Sequence, residues 1–251
     1  MLGTEVKDIA DALGRCGVTE ATLVDAEQHA LDREGYVVFA DLVSSKSLET
    51  LRAAFELAVD QGPMDPHDPQ SGTRHANDLT GKSAAFDVVY THPKVLAAAY
   101  HVLRNPFRIF QLGGRDPLPR YGQQGLHTDW LPRAPSEPFG VVTAIWLLDD
   151  FEPNNGATRL IPGSHLWHRR LPKSMLAPAS LHPDQKLVLA RAGSVLVFNG
   201  HLWHSGTRNE SRGPRRVIQC QFVARALVRS TEANLDLPGR LSPAVRYILG
   251  V

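Results

Sequence analysis

The sequence contains very little cysteine. Cys16 and Cys220 are the only two cysteines among 251 residues, and they form neither a CxxC pair nor a zinc-binding spacing. Such sparse cysteine does not build a disulfide framework, so we expect two reduced thiols. A chain of 251 residues is long enough to bury a sizeable core. Its hydrophobic fraction of 43% supplies the apolar side chains for that core.

Strong net charge and long apolar runs are also missing. The 27 basic and 26 acidic residues leave a formal net charge of +1, which gives no electrostatic footprint for nucleic acid or an anionic membrane. No apolar run reaches the roughly 20 residues that a membrane-spanning helix needs. The N-terminus lacks the apolar centre of a signal peptide, so we expect a cytoplasmic protein that binds neither nucleic acid nor membrane.

The first 106 residues predict a mainly helical region without internal repeats. Leu48, Leu51 and Phe55 recur at helical spacing, and Pro93 is suited to open a further helix. Tyr36–Phe39 predicts a short strand within this region. Residues 62–82 are rich in glycine, proline, aspartate and histidine, and they predict a loop.

From Phe107 onward, short β-rich runs alternate with turn signals. The predicted strands are Arg108–Leu112, Val141–Leu148, Thr158–Ile161, Leu187–Leu189, Ser194–Phe198 and Arg216–Val223. Short strands without intervening helices indicate a β-barrel or sandwich and not a parallel α/β sheet. We therefore predict a mainly β chain with flanking α-helices. We expect a single domain over residues 1–251, helical to about residue 106, with a β core at about residues 107–225.

The segment Gly125–Trp130 contains the pattern His127-Thr-Asp129. Alternate side chains of a strand point to the same face, so His127 and Asp129 can reach one ion. An imidazole and a carboxylate are two thirds of the 2-His-1-carboxylate triad of non-haem iron(II) oxygenases, which leaves positions open for a co-substrate and dioxygen. His-x-Asp alone is a weak signal, since it occurs by chance in many chains.

A third ligand must come from a distant strand. His201 and His204 are the candidates, and they follow the buried-looking strand that ends at Phe198. Arg215 comes after them, at the start of the next predicted strand. A guanidinium suits a dicarboxylate co-substrate, because its planar fork binds a carboxylate bidentately and stays charged. The order His-x-Asp, turn-rich β region, His and Arg is much more specific than any one of its parts.

Four segments carry a resemblance to a known family. They are Asp32–Val38 at a helix-to-strand step, His127-Thr-Asp129, the NNGATRLIPGSH segment Asn154–His165, and His204–Arg215. On these segments the chain resembles the phytanoyl-CoA dioxygenase family of iron(II)/2-oxoglutarate oxygenases from Leu31 to about Phe222. The resemblance implies a double-stranded β-helix core, which is a jelly-roll, cupin-like fold, with helices packed around it.

The resemblance also implies roles for particular residues. His127, Asp129 and His204 match the iron ligands, and Arg215 matches the arginine that anchors the far carboxylate of 2-oxoglutarate. His204 is preferred to His201, because the downstream spacing to the arginine fits from residue 204. His165 fits a structural role in the PGSH turn.

Two other residues are weaker candidates for the 2-oxoglutarate pocket. Trp146 lies near a family position that lines this pocket, and Gln111, on the strand before the His-x-Asp, could donate to the co-substrate. There is also one departure from the family pattern. Many members carry a serine where this chain has Gly206, so either one contact to 2-oxoglutarate is missing or Ser205 or another residue supplies it.

The activity implied is oxidation of an unactivated C–H bond in a small organic molecule, with iron(II) as cofactor and 2-oxoglutarate and dioxygen as co-substrates. Related halogenases replace the metal-binding carboxylate, so Asp129 favours hydroxylation or another oxidation over halogenation. We expect a natural-product or metabolite intermediate as substrate, and the sequence leaves its identity and the oligomeric state open. The alternatives are a cupin-type zinc enzyme that needs no 2-oxoglutarate and an inactive metal-binding module.

Overall fold

The computed structural model describes residues 5–60, 71–228 and 238–251. The α-helices are α1 (Ile9–Arg15), α2 (Asp25–Arg33), α3 (Ser45–Ala58), α4 (Asp87–Thr91), α5 (Pro93–Leu103) and α6 (Pro243–Leu249). The strands are β1 (Tyr36–Phe39), β2 (Thr73–Ala76), β3 (Phe107–Pro117), β4 (Val141–Leu147), β5 (Thr158–Leu160), β6 (Lys186–Leu187), β7 (Val195–Asn199), β8 (His204–Gly206) and β9 (Val217–Ala224). Short 3-10 turns lie at Glu20–Thr22, Ala84–Phe86, Ser164–Leu166, Lys173–Leu176 and Arg225–Leu227. Within these residues, none of the helices has the length and apolar character to cross a bilayer.

The strands form two antiparallel sheets. The larger sheet has the order β1-β7-β4-β9-β3-β2, and the smaller one has the order β6-β5-β8. The inner faces of the two sheets meet around an apolar cluster that includes Ile145, Leu160, Leu196 and Val217. This arrangement agrees with the predicted jelly-roll core, in which two sheets enclose a central space.

The helices cover the outer face of the larger sheet. Outward-facing side chains of its central strands pack into one cluster with residues of α1, α3 and α5, among them Leu13, Phe55 and Leu96. Burying one such side chain contributes about 1.5–3 kcal/mol. Strand β4 is buried along its whole length, because helices cover one face and the smaller sheet faces the other.

Local sequence explains where the helices begin and end. The Ser44 side chain accepts from the Ser47 amide at the start of α3, and Pro93 occupies the first turn of α5. After α2 the chain turns at Gly35, which has a φ of +82°. A Cβ at this position would lie 2.5 Å from the Nδ1 atom of His165, so only glycine fits.

The structure extends the predicted β core in two places. Strand β1 pairs with β7, so the N-terminal region supplies an edge strand to the larger sheet. Residues 71–82 were expected to be loop, but Thr73–Ala76 forms β2 and pairs with β3. Residues 62–70 of the same predicted loop lie outside the described residues. The expected single domain stays a prediction.

Candidate metal centre

Two distant segments meet at the centre of the fold. His127 and His204 form an antiparallel bridge, in which the His127 amide donates to the His204 carbonyl at 2.9 Å and the His204 amide donates back at 3.0 Å. The Asp129 amide donates to the Gly200 carbonyl at 2.8 Å and keeps the same segment in place. The backbone itself therefore brings the His-x-Asp beside β8.

The side chains of the three predicted ligands converge. One ligand atom from each of His127, Asp129 and His204 lies within 4.8 Å of the others. The His204 Nε2 atom is 3.4 Å from the Asp129 Oδ1 atom, and the two imidazole rings have centroids 4.4 Å apart. Donors that bind one divalent ion at about 2.1 Å lie about 3–4 Å from each other. The group therefore fits a metal ion after a small contraction.

Hydrogen bonds orient these ligands for binding. Each histidine places its Nδ1 atom against a backbone carbonyl, that of Gly125 at 3.0 Å for His127 and that of Leu202 at 2.9 Å for His204. A carbonyl can only accept, so Nδ1 carries the proton and Nε2 is free to bind metal. The Thr143 hydroxyl donates to the Asp129 Oδ2 atom at 2.5 Å and fixes the carboxylate.

The electrostatics also suit a cation. Burial, together with the neighbouring His204, lowers the pKa of His127 to about 4. Burial would raise the pKa of Asp129, but His204 and the Thr143 hydroxyl outweigh it and lower that pKa to about 2. Burial opposes the charged form of His204, yet the Asp129 carboxylate raises its pKa. At neutral pH, Asp129 is thus ionised and His127 is neutral, as metal ligands must be.

The three residues open into a cavity of about 270 Å³ between the sheets. Its walls come mainly from the inner faces of β3, β4, β8 and β9. The lining residues are His75, Asn77, Gln111, Gly113, Gly114, Arg115, Gln124, Thr143, Ile145, Thr158, Phe198, Ser205, Gly206, Arg215, Gln219 and Gln221, together with the three ligands. Among the described residues, Asp129 is the only carboxylate that lines this cavity.

Arg215 lies in the same cavity and is buried, with 6% of its surface exposed. Its backbone amide donates to the Asp116 Oδ1 atom at 2.9 Å, and its guanidinium lies 5.1 Å from the centre of the Phe151 ring. Its Nε atom is buried without a hydrogen-bond partner. Burial and nearby Arg115 lower its pKa to about 9, so it is still a cation at neutral pH. An unsatisfied buried guanidinium is suited to receive a carboxylate.

Gly206 explains how the chain departs from the family pattern. Its amide donates to the side-chain oxygen of Gln124 at 3.1 Å. A Cβ at position 206 would lie 3.1 Å from that oxygen and 3.5 Å from the Nη2 atom of Arg215. Gln124 therefore occupies the space next to the position where many relatives carry a serine side chain. Gln124 was not predicted as a site residue, although it is a polar residue only three positions before His127.

The other predicted site residues have different positions. Gln111 lines the cavity, so its contact with 2-oxoglutarate stays a prediction. The prediction for Trp146 is wrong, because Thr143 and Ile145 face the cavity while Trp146 points to the outer face of β4 and packs edge-on against His92. His201 accepts from the Gly140 amide at 3.3 Å and is not part of the ligand group. His165 lies in the 3-10 turn Ser164–Leu166, and its Nε2 atom contacts the Asp32 carbonyl near the end of α2.

Residues 31–217 match the family model described as Phytanoyl-CoA dioxygenase (PhyH). Among curated relatives, dioxygenase trt7 of Aspergillus terreus is 34% identical over 167 residues, which cover 60% of this chain and 56% of the relative, less than two thirds of its length. Dioxygenase cdmA of Talaromyces verruculosus is 28% identical over 234 residues, which cover 83% of this chain and 75% of the relative.

Solved structures show the same fold. HygX from Streptomyces hygroscopicus, determined with nickel, 2-oxoglutarate and hygromycin B bound, superposes with a TM-score of 0.65 at 22% identity. The match covers 81% of this chain and 88% of HygX. This likeness confirms the predicted fold class of the chain.

Proposed function

The chain belongs to the phytanoyl-CoA dioxygenase family, and on that premise we propose that it oxidises a C–H bond of a small organic molecule. It is an oxygenase whose cofactor is iron(II) and whose co-substrates are 2-oxoglutarate and dioxygen. The observation that carries the proposal is that His127, Asp129, His204 and Arg215 all line one cavity.

His127, Asp129 and His204 would hold the iron on one side and leave the opposite side open, as a facial triad does. Bound iron supplies the oxidative decarboxylation of 2-oxoglutarate to succinate and carbon dioxide and the oxidation of the substrate. The protein provides two of the three ligands in their binding protonation states, since His127 is neutral and Asp129 is ionised well below pH 7.

Arg215 would bind the far carboxylate of 2-oxoglutarate. Its guanidinium is buried, faces the cavity and has a donor without a partner. In a water-poor site a charge-assisted pair of this kind is strong and also sets the orientation of its ligand. The Gln124 side chain, held by the Gly206 amide, borders the same space.

Apolar side chains complete the cavity and keep water from the reacting centre. Ile145 and Phe198 both line it, and the Phe198 ring packs against the His204 ring with centroids 4.5 Å apart. Excluding water strengthens the electrostatic contacts and prevents side reactions.

A natural-product or metabolite intermediate is the substrate class that we propose. Support comes from the relatives named dioxygenases and from HygX, which was determined with hygromycin B in addition to 2-oxoglutarate. Asp129 supplies the carboxylate that related halogenases lack, which supports hydroxylation or another oxidation over halogenation.

The test is an anaerobic titration of the metal-free protein with iron(II) and then 2-oxoglutarate. The chelate of the two gives a weak visible charge-transfer band, which we expect for the wild type. We expect Asp129→Ala and His204→Ala to abolish the band. His201→Gln serves as the matched control and should keep it, because His201 lies outside the ligand group.

Two outcomes would contradict the proposal. A wild-type protein that binds zinc tightly and forms no band would support a zinc enzyme that needs no 2-oxoglutarate. Loss of the band in His201→Gln with its retention in His204→Ala would overturn the ligand assignment.

A further inference from the structure

A second arginine, Arg115, lines the cavity beside the metal centre. It lies on β3, opposite His75 on β2 and opposite Val217 on β9. Gly113 precedes it by two residues and lines the same cavity without a side chain. Arg115 is partly buried, so its charge is not fully solvated.

Arg115 has no hydrogen-bond or ion-pair partner among the described residues. Two neighbouring arginines, Arg74 and Arg216, are neutralised by acids. Arg74 pairs with Asp116 and Glu56, and Arg216 pairs with Asp149 and Glu56. The neighbouring acids therefore already have partners, and Arg115 remains as an uncompensated cation facing the cavity. A desolvated cation without a partner is costly, which indicates a role for an anionic ligand.

The charges in the cavity indicate what kind of ligand is missing. Among the described lining residues, a divalent ion, Arg115 and Arg215 would face the single carboxylate of Asp129, so positive charge would exceed negative charge by three. The dianion 2-oxoglutarate would neutralise two of these charges. One positive charge then remains, which one further carboxylate would balance.

Arg115 and Arg215 also differ in their surroundings. Arg215 lies beside the Gly206 and Gln124 contact, at the end of the cavity that the proposed function assigns to 2-oxoglutarate. Arg115 lies toward the β2 edge of the sheet, where His75 and Asn77 are its neighbours in the lining. The two guanidiniums are still near each other, because, in addition to burial, Arg115 lowers the pKa of Arg215 and also that of His127. An anion held by Arg115 would therefore lie close to the metal centre.

We propose that Arg115 binds a carboxylate of the molecule being oxidised, so that the substrate is an organic acid. This inference rests on the proposed function, because it assigns 2-oxoglutarate to Arg215. The planar guanidinium would hold the acid bidentately and fix which carbon of the substrate faces the metal.

The test uses a small anion as probe, since the substrate is not identified. Trifluoroacetate and its neutral analogue 2,2,2-trifluoroethanol are titrated into protein loaded with Mn(II) and saturating 2-oxoglutarate, and paramagnetic broadening of the fluorine resonance is measured. We expect saturable broadening for trifluoroacetate and none for trifluoroethanol. Arg115→Gln should weaken trifluoroacetate binding about tenfold or more, as expected for loss of a charge-assisted pair.

Three controls distinguish loss of a positive charge at Arg115 from loss of a charge elsewhere, from misfolding and from loss of 2-oxoglutarate binding. Arg120→Gln removes the same charge from an exposed arginine nearby and should bind trifluoroacetate as the wild type does. Arg115→Lys keeps a cation and should retain part of the affinity, which provides a second variant if the glutamine variant does not fold. The anaerobic chelate band measures 2-oxoglutarate separately, and we expect Arg115→Gln to change its affinity less than about threefold.

Several outcomes would overturn the inference. It is wrong if the wild type shows no saturable broadening, or if Arg115→Gln leaves the broadening unchanged. It is also wrong if Arg115→Gln weakens the binding of 2-oxoglutarate as strongly as Arg215→Gln does, because Arg115 then belongs to the co-substrate site. Failure of the wild type to form the chelate at all would instead contradict the proposed function.

Discussion

The hydrogen bond from Thr143 to Asp129 offers a sharp test of how the fold prepares the metal site. Thr143 is 4% exposed on β4, and its hydroxyl donates to the Asp129 Oδ2 atom at 2.5 Å. Thr143→Val keeps the branched shape and removes only this donor. A hydrogen bond to an ionised group is worth about 1.5–3 kcal/mol, so we expect metal affinity to fall about tenfold to hundredfold.

Protonation of the carboxylate does not explain this loss. The Thr143 hydroxyl is one of several groups that lower the pKa of Asp129, and His204 lowers it more. In Thr143→Val the carboxylate therefore stays ionised at pH 7.5. The expected loss comes from a carboxylate that is less well oriented toward the ion.

The assay is a titration of metal-free protein with Co(II) at pH 7.5, followed by its visible absorption in competition with a chelator. Thr73→Val is the matched control, because Thr73 is equally buried in a strand but its hydroxyl has no hydrogen-bond partner. The control should bind Co(II) as the wild type does. If Thr143→Val binds Co(II) within about threefold of the wild type and melts at the same temperature, the orienting role is refuted.

Two more predictions concern pH and stability. Metal affinity should fall about tenfold per pH unit below the raised pKa of His204, because the ion must displace that proton, and a flat profile between pH 8 and 5.5 would contradict this. His127, with a pKa of about 4, should add nothing in this range. Arg159→Met should lower the unfolding midpoint by about 6–12 °C in a thermal scan, because buried Arg159 donates to the Ser205 hydroxyl and to loop carbonyls and its loss costs about 3 kcal/mol. The exposed Arg191→Met should leave the midpoint unchanged, and equal melting of the two variants would refute this account.

Local sequence was sufficient to predict those features that depend only on residues close together in the chain. His127 and Asp129 share a side because alternate residues of an extended chain do so, and the structure places both toward His204. Several short strands were predictable for the same reason, since period-two patterns and turn residues are local properties. The resemblance of the four motif segments then predicted the fold, and it implied the ligand set and the role of Arg215.

The sequence pattern could not decide which face of a strand turns inward. Strand β4 is buried along its whole length, so its sequence pattern does not show whether Trp146 faces the same side as Thr143 and Ile145 or the opposite side. Only the pairing of β4 with β7 and β9 and the covering helices show that Trp146 faces outward. Likewise, β2 forms because β3 offers it a partner, although its own residues resemble a loop.

Tertiary structure also decided which polar groups are free. The sequence does not distinguish Arg115 from Arg74 and Arg216, yet Arg74 and Arg216 are neutralised by acids. Arg115, like Arg215, faces the cavity with no carboxylate partner among the described residues. The contact of Gln124 with Gly206 likewise depends on segments that are distant in sequence. The sequence thus determined the residue types and local spacing of the metal site. Long-range strand pairing decided which side chains share the cavity, because a side chain's partners depend on the elements that pack against its own.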